Sequence, residues 1–400
     1  MHLAFPPAPT QFDPLAAAEA LAERLAATAV ERDRLGGHAA EEREWIRASG
    51  LLALSVPAEF GGLGADWPTV YEAVRILARA DSALAHLLGF HHLQLAGIQL
   101  YGTAQQQRRL LTGTIAGNAF WGNALNPLDK RLVGVPSAGG YLLNGIKSFA
   151  SGSVGADWLT ISAWDPLAAA PLIAVLPTRQ PGIEVQADWD AFGQRQTDSG
   201  NVRFNNVKLT DDLVLQPAGR AGIANLAPQA TLRSQVAQLV MTNLYLGLAE
   251  GALAAARRYL RDEARPWFAS GVENATDDPF IQHRFGEFHL LVRPARLLAD
   301  DAARKLDAAF RLGARLGALE RGEVAVAVAE AKVLAHRASI EIGGQLFELT
   351  GARSTSGRLG FDRFWRNARV HTLHDPVDYK LRDLGRYALE GRLPEPTAYS

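Results

Sequence analysis

The chain has 400 residues, 48% hydrophobic and 21% charged, with a formal net charge of −1. That is the balance of a soluble globular protein of two to three domains, with no broad field to draw in nucleic acid or an anionic membrane. It contains no cysteine, which excludes disulfides, thiolate nucleophiles and cysteine-based metal sites.

Met1 to Thr10 shows no basic stretch followed by an apolar one, and no run of 18 apolar residues follows, so no signal peptide or membrane span is expected and the cytoplasm is the expected location. From there to about residue 117 the pattern is helical. Asp13-Pro14 reads as an N-cap with proline in the first turn, leading a helix over Leu15 to Arg32. Ala39 to Ser49 is a second helix stopped by Gly50, and Trp67 to Tyr101 is one long or two broken apolar helices. Between about 118 and 228 the period changes. Tyr141-Leu142-Leu143 and Ile146 to Phe149 flank Asn144-Gly145, which predicts a hairpin. Trp158 to Ala163, Leu172 to Leu176, Ile183 to Val185 and Val202 to Leu209 are further strands. From about 229 to 400 the pattern is helical again, over Ala230 to Arg261, Pro279 to Leu312 and Val324 to Leu349. The expected organisation is an N-terminal helical domain (1–117), a middle β-barrel domain (118–228) and a C-terminal helical-bundle domain (229–400).

Several residues carry chemistry on their own. Arg265, before Pro266-Trp267, and Arg353, in the polar loop with Ser354 and Thr355, have the fork that suits phosphate oxygens, although a surface arginine taken blind is more often an ion pair. Ser151, beside Gly152 and Ser153, reads either as a turn serine or as a donor at a developing charge. Trp189 is a packing residue or a pocket wall. His86, His91 and His92 cluster on a helix, but no carboxylate completes a metal set. His374-Asp375 pairs a group that titrates near neutrality with a carboxylate that orients it; Asp375-Pro376 also reads as the start of a helix over Val377 to Leu389. No G-x-G-x-x-G follows a strand, so no dinucleotide fingerprint is present.

Four segments in order, Leu51 to Gly62, Lys147-Ser148-Phe149-Ala150-Ser151-Gly152, Ile342-Gly343-Gly344-Gln345 to Gly351, and Phe364-Trp365-Arg366-Asn367-Ala368-Arg369, resemble the acyl-CoA dehydrogenase superfamily over nearly the whole chain. Ala264 to Glu273 and His371-Thr372-Leu373-His374-Asp375-Pro376 are similar to its reduced-flavin monooxygenases of the dibenzothiophene monooxygenase type and to sulfur-acquisition oxidoreductases. The dehydrogenases carry a glutamate base in a "YEGT" context where this chain has His374-Asp375.

The resemblance implies a mainly α fold with a central β-barrel and a C-terminal four-helix bundle, assembled as a homotetramer. Ala331 to Leu349 reads as an apolar interface helix. It implies FMN, delivered reduced by a separate flavin reductase, with molecular oxygen as co-substrate. Oxygen would pass from a C4a-hydroperoxyflavin to a small apolar or sulfur-containing substrate. By the same resemblance Arg265 and Arg353 contact flavin phosphate from neighbouring subunits, with Ser354 and Thr355. Asn123, Asn126, Ser151, Ser153 and Trp189 lie at the flavin ring, and His86, Ser151, His374 and Asp375 are catalytic. Phe90, Phe149 and Trp189 would exclude water. Two alternatives remain: an FAD-dependent acyl-CoA dehydrogenase or oxidase with Asp375 as base, and a scaffold that has lost catalysis.

Overall fold

The computed structural model describes residues 12–216 and 226–400; the reading of Met1 to Thr10 lies outside them. Helix α1 (Pro14–Ala26) starts at Asp13, whose carboxylate accepts from the Leu15 and Ala16 N–H groups. The expected continuation to Arg32 breaks at Ala27-Thr28 and resumes as α2 (Ala29–Leu35). Then come α3 (Ala40–Ala48), α4 (Trp67–Ala80), α5 (Ser82–Tyr101) and α6 (Ala104–Ala116). Asp81 divides the long apolar stretch: it is extended and caps α5 through the Ala83 and Leu84 N–H groups. Every residue of α5 from Ser82 to Ile98 is buried, as expected of a helix apolar on all sides.

The second helical region holds α7 (Leu232–Asp262), α8 (Pro279–Leu312), α9 (Ala318–Thr350), α10 (Asp362–Thr372) and α11 (Val377–Glu390). It shares one hydrophobic core with the first, in which Val74, Leu77, Leu84 and Leu88 meet Val240, Leu244, Ala331 and Ala335. At Gly247 a Cβ would stand 2.4 Å from that of Ala78, so only glycine lets α7 approach α4 this closely. Among the described residues one helical stretch, Pro228–Asp262, is long and apolar enough to cross a membrane, but 83% of its apolar window is buried inside the protein. The stretch Ala331 to Leu349 also faces the chain's own interior: Ala331, Ala335, Ala338, Ile342 and Leu346 are fully buried.

Between the helical regions lie β1 (Trp121–Ala124), β2 (Val133–Ser137), β3 (Gly140–Lys147), β4 (Trp158–Asp165), β5 (Ala170–Pro177), β6 (Ile183–Val185), β7 (Val202–Thr210) and β8 (Val214–Gln216). The expected barrel is not formed. The order is β6-β7-β3-β2-β4-β5-β8, with β1 on β4, and the two end strands do not pair. The reason lies along β4. One edge of it is shared: β1 occupies the Trp158–Ile161 half in parallel register, and β2 reaches it only at Val133↔Trp164. End strands of three residues each leave no continuous ladder for closure. The two halves instead enclose apolar side chains between them, among them Leu143, Phe204 and Val207 with Leu159, Ile161 and Leu172.

Asn144-Gly145 is not a hairpin either. β3 runs through it, and the β3–β7 register shifts there by a bulge. Asn144 Oδ1 accepts from the N–H of Asn206, itself at φ 51°. A Cβ on Gly145 would lie 2.0 Å from the Arg131 carbonyl oxygen, so the glycine serves close approach rather than a turn. The tight turn is the next one upstream, between Ser137 and Gly140.

Candidate active site

Helix α5 separates its three histidines by function. His91 Nε2 donates to the Leu52 carbonyl (2.9 Å) and Nδ1 accepts from the Trp121 N–H (3.2 Å). His92 Nε2 donates to the Leu51 carbonyl (3.1 Å) and Nδ1 accepts from Ser55 (2.8 Å). Both are spent on the frame. His86 is different. Its Nδ1 lies 2.8 Å from His371 Nε2, its ring stacks on Phe90 at 4.0 Å, and its Nε2 is buried without a protein partner. The Tyr245 hydroxyl on α7 donates to the His371 carbonyl (3.1 Å) and lies 3.3 Å from His371 Nδ1. Burial, and after it the neighbouring His374, pushes His86 down to about 3. Burial and the neighbouring His86 and His374 push His371 well below the ordinary histidine range. With the Tyr245 hydrogen on the His371 carbonyl, His371 Nδ1 donates to the Tyr245 oxygen, His371 Nε2 accepts from His86 Nδ1, and His86 Nε2 is left as an acceptor.

Just past α10, Asp375 is buried and held from three sides. Lys332 Nζ donates to its Oδ1 at 2.5 Å, His374 Nδ1 lies 3.1 Å from the same oxygen, and Gln238 Nε2 donates to Oδ2 at 3.3 Å. Burial alone would raise the carboxyl. The His374 hydrogen bond and the Lys332 ammonium outweigh it and hold the carboxyl well below the usual range. No side chain caps the first turn of α11, so the capping role read for Asp375 is not the one it plays. His374 is 42% exposed and meets the edge of Tyr399 at 5.6 Å.

The β layer contributes the facing wall. The Asn123 N–H donates to the Ser151 carbonyl at 2.8 Å, and Ser151 Oγ is 2.9 Å from Ser199 Oγ. Asn123 Oδ1, Ser153 Oγ and Thr160 Oγ1, the last beside Asn123 across the β1–β4 ladder, are buried with no partner among the described residues. Phe149, at φ 55° and 70% exposed, meets the edge of Trp189 at 5.9 Å. The Trp189 indole donates to the Gln194 carbonyl at 2.9 Å. This wall is docked on the helices. Gly152 lies against Leu87, the neighbour of His86. The Gln194 N–H donates to Asn367 Oδ1, one turn before His371, at 2.6 Å. Asn126 stands apart, its Oδ1 closing its own turn on the Leu128 N–H.

Arg265 and Arg353 are exposed and make no side-chain hydrogen bond or ion pair among the described residues. An ion pair between Arg358 and Glu263 (2.5 Å) draws their two segments to one end of the bundle. That end is remote from the histidines of the same chain: Tyr245 to Asp262 along α7 spans roughly 26 Å. The Ser354 hydroxyl is buried, donating to the Gly351 carbonyl and paired with Thr350, and Thr355 donates to Ala352. Sequence reasoning missed Tyr245, Gln238, Lys332 and Ser199. His371 stands three residues before His374, a helical spacing that marks the two as neighbours in the sequence.

Family models described as acyl-CoA dehydrogenase, N-terminal domain, and acyl-CoA dehydrogenase, C-terminal domain, match residues 15–118 and 239–379. A dibenzothiophene monooxygenase of Rhodococcus qingshengii is 45% identical, covering 96% of this chain and 95% of the relative. A probable FMNH2-dependent monooxygenase, SfnC, of Pseudomonas putida is 45% identical, covering 99% and 98%. The solved structure of the methanesulfinate monooxygenase MsuC of Pseudomonas fluorescens superposes with a TM-score of 0.94 at 45% identity, covering 98% of this chain and all of that one.

Proposed function

We propose, from the premise that this chain belongs to the acyl-CoA dehydrogenase superfamily and is a flavin-dependent monooxygenase of its reduced-flavin branch, that it takes FMNH₂ from a separate reductase and oxygenates a small sulfur-bearing substrate between α5, the α10–α11 turn and the β layer. The observation that carries this reading is the convergence of unpartnered buried polar atoms there. Asn123 Oδ1, Ser153 Oγ and Thr160 Oγ1 stand by Ser151, His86 Nε2 lies across the same junction, and an aromatic pair, Phe149 and Trp189, stands beside it. Buried polar groups without partners are costly, and a planar heterocycle with polar edges fits this set.

When bound, the reduced flavin supplies the activation of dioxygen, one atom going to the substrate and the other to water as FMNH₂ becomes FMN. The chain does the rest. Ser151, Ser153 and Asn123 hold the polar edge of the ring, and Trp189 and Phe149 cover it from water. His86, held by His371 and through it by Tyr245, presents Nε2 as a proton acceptor at the substrate side, over a floor formed by Phe90. His374 faces the substrate from the open side, oriented by Asp375. The competing reading, Asp375 as the base of a dehydrogenase, is disfavoured by Lys332: a carboxylate paired with a buried ammonium is a weak base.

Arg265 and Arg353 belong to this reading as phosphate contacts supplied to a neighbouring subunit of a homotetramer. Among the described residues they are unpaired, and they lie too far from their own chain's histidines to serve there. Trp267 and Phe268, 68% and 87% exposed, and Phe280 on α8, 79% exposed, lie beside them as surface for association. The deciding experiment supplies the protein with FMN, NADH, a flavin reductase and isotopically labelled dioxygen, and offers dibenzothiophene and methanesulfinate. Label in an oxygenated product supports the reading. Anaerobic bleaching of bound flavin by an acyl-CoA, with no labelled product, overturns it. Sedimentation of a monomer that retains FMN would overturn the shared site alone.

A further inference from the structure

Resting on the placement of His374 at the substrate, we propose that Lys332 is the positioning residue of the His374–Asp375 pair: it supplies the countercharge of the buried carboxylate, so that Asp375 orients His374 without drawing it into an ion pair.

The geometry is specific. Lys332 lies mid-way along α9 with its side chain 1% exposed. Its ammonium donates to Asp375 Oδ1 and to Gln238 Oε1. The Gln238 amide then has only its N–H group left for Asp375 Oδ2, which fixes the amide orientation and ties α7, α9 and the α10–α11 turn together. The carboxylate oxygen that takes Lys332 is the one facing His374 Nδ1, so lysine and histidine compete for one negative charge.

A buried carboxylate must have a counter-ion. Lysine ordinarily binds its proton several units more tightly than histidine. With Lys332 charged, the Lys332–Asp375 pair is already neutral, and His374 meets the carboxylate through the Nδ1 hydrogen bond. Without Lys332, the nearest proton-binding group to the Asp375 oxygen is His374 Nδ1 at 3.1 Å. The other titratable groups facing the pair are Tyr245 on α7, His336 on α9, Arg369 and His371 on α10, Asp378 and Lys380 on α11, and Tyr399. None of them lies within ion-pair distance of Asp375; Lys332 does, and His374 Nδ1 lies 3.1 Å from the same oxygen. Burial lowers Lys332 from the ordinary lysine range, and Asp375 is the group that opposes it.

The test is pH-dependent C2–H exchange of individual histidines, read by mass spectrometry on the intact FMN-loaded protein. In Lys332→Met the His374 exchange midpoint moves up by about one pH unit, tenfold in the proton equilibrium, while His91 and His92 stay fixed. Lys332→Arg restores the original midpoint. The kcat of Lys332→Met falls at least tenfold with KM for FMNH₂ little changed. An unmoved His374 midpoint in folded Lys332→Met overturns the proposal. Should that variant not fold, the double variant Lys332→Met/Asp375→Asn carries no buried charge, and its His374 midpoint must lie with that of Asp375→Asn; a different midpoint overturns the proposal equally. A shifted midpoint with unchanged turnover keeps the Lys332 assignment and removes His374 from the reaction instead.

Discussion

The His86–His371–Tyr245 cluster and the Lys332–Asp375–His374 cluster lie on either side of one turn and meet burial in opposite ways. The first sheds charge: both imidazoles are driven neutral, and their hydrogen bonds form a line ending in an unpartnered nitrogen. The second keeps charge, because an acid and a base of opposite sign are packed together with an amide bridging them. Burial penalises the charged form of any group; whether the group stays charged depends on what is buried with it. The first arrangement is suited to moving a proton, the second to holding a neighbour still.

Removing a member of the mobile cluster should have the largest effect. His371→Ala or His86→Ala should lower turnover by about 100- to 10,000-fold, the range for a positioned acid or base, with FMN binding little changed in a titration. His374→Ala and Asp375→Asn should follow the same pattern, and full turnover in both would reduce the second cluster to a structural anchor.

The neutral cluster should also be visible in the stability of the protein. His86 is held from 6.5 down to about 3, so its folded-state value is depressed. Between those values the unfolded chain binds the extra proton, and stability falls as pH is lowered through that window, by about 1.4 kcal/mol per pH unit for each such histidine; above about 6.5 its contribution is complete. Thermal melts at pH 7.5 and 5.5 should show this drop in the wild type and a smaller one in His86→Phe. Equal drops would mean that His86 is not buried neutral.

Outside both clusters the effects should separate by role. Arg353→Ala should weaken FMN binding by about 1.5–3 kcal/mol, as for a lost charge-assisted hydrogen bond, while kcat at saturating FMN holds. Ser354→Ala, whose hydroxyl is bonded internally, should cost about 1 kcal/mol of stability in a denaturant titration and leave FMN affinity alone.

Helix positions were legible because the 3.6-residue period, Asp13-Pro14 and the proline at 279 are local signals. The sheet was legible strand by strand but not in its closure. Whether β2 or β1 takes the edge of β4 depends on pairing between distant segments. The Asn-Gly pair misled for a related reason: a bulge and a hairpin both use glycine, and only the approach of Arg131 tells them apart. In the site, His374 and Asp375 were legible as neighbours in sequence. Their partners were not, since Gln238, Lys332 and Tyr245 sit on two long helices where each reads as one more polar position. Burial exposes them: a lysine 1% exposed in the middle of α9 must have a reason, and periodicity does not state it.

The single pair that joins β2 to β4 has a mechanical meaning. Only one ladder pair, Val133↔Trp164, joins the outer half, β2-β3-β7-β6, to the inner half there, so the ammonium of Lys147 on β3, which donates to the Asn126 and Asp129 carbonyls and to Ser162 on β4, carries much of the seam. Ser151 follows β3 on the outer half, while Asn123 sits in β1 on the inner half and holds Ser151 by one backbone bond. Asn123 and Ser151 thus come from the two halves of the sheet and are joined across them by that backbone bond.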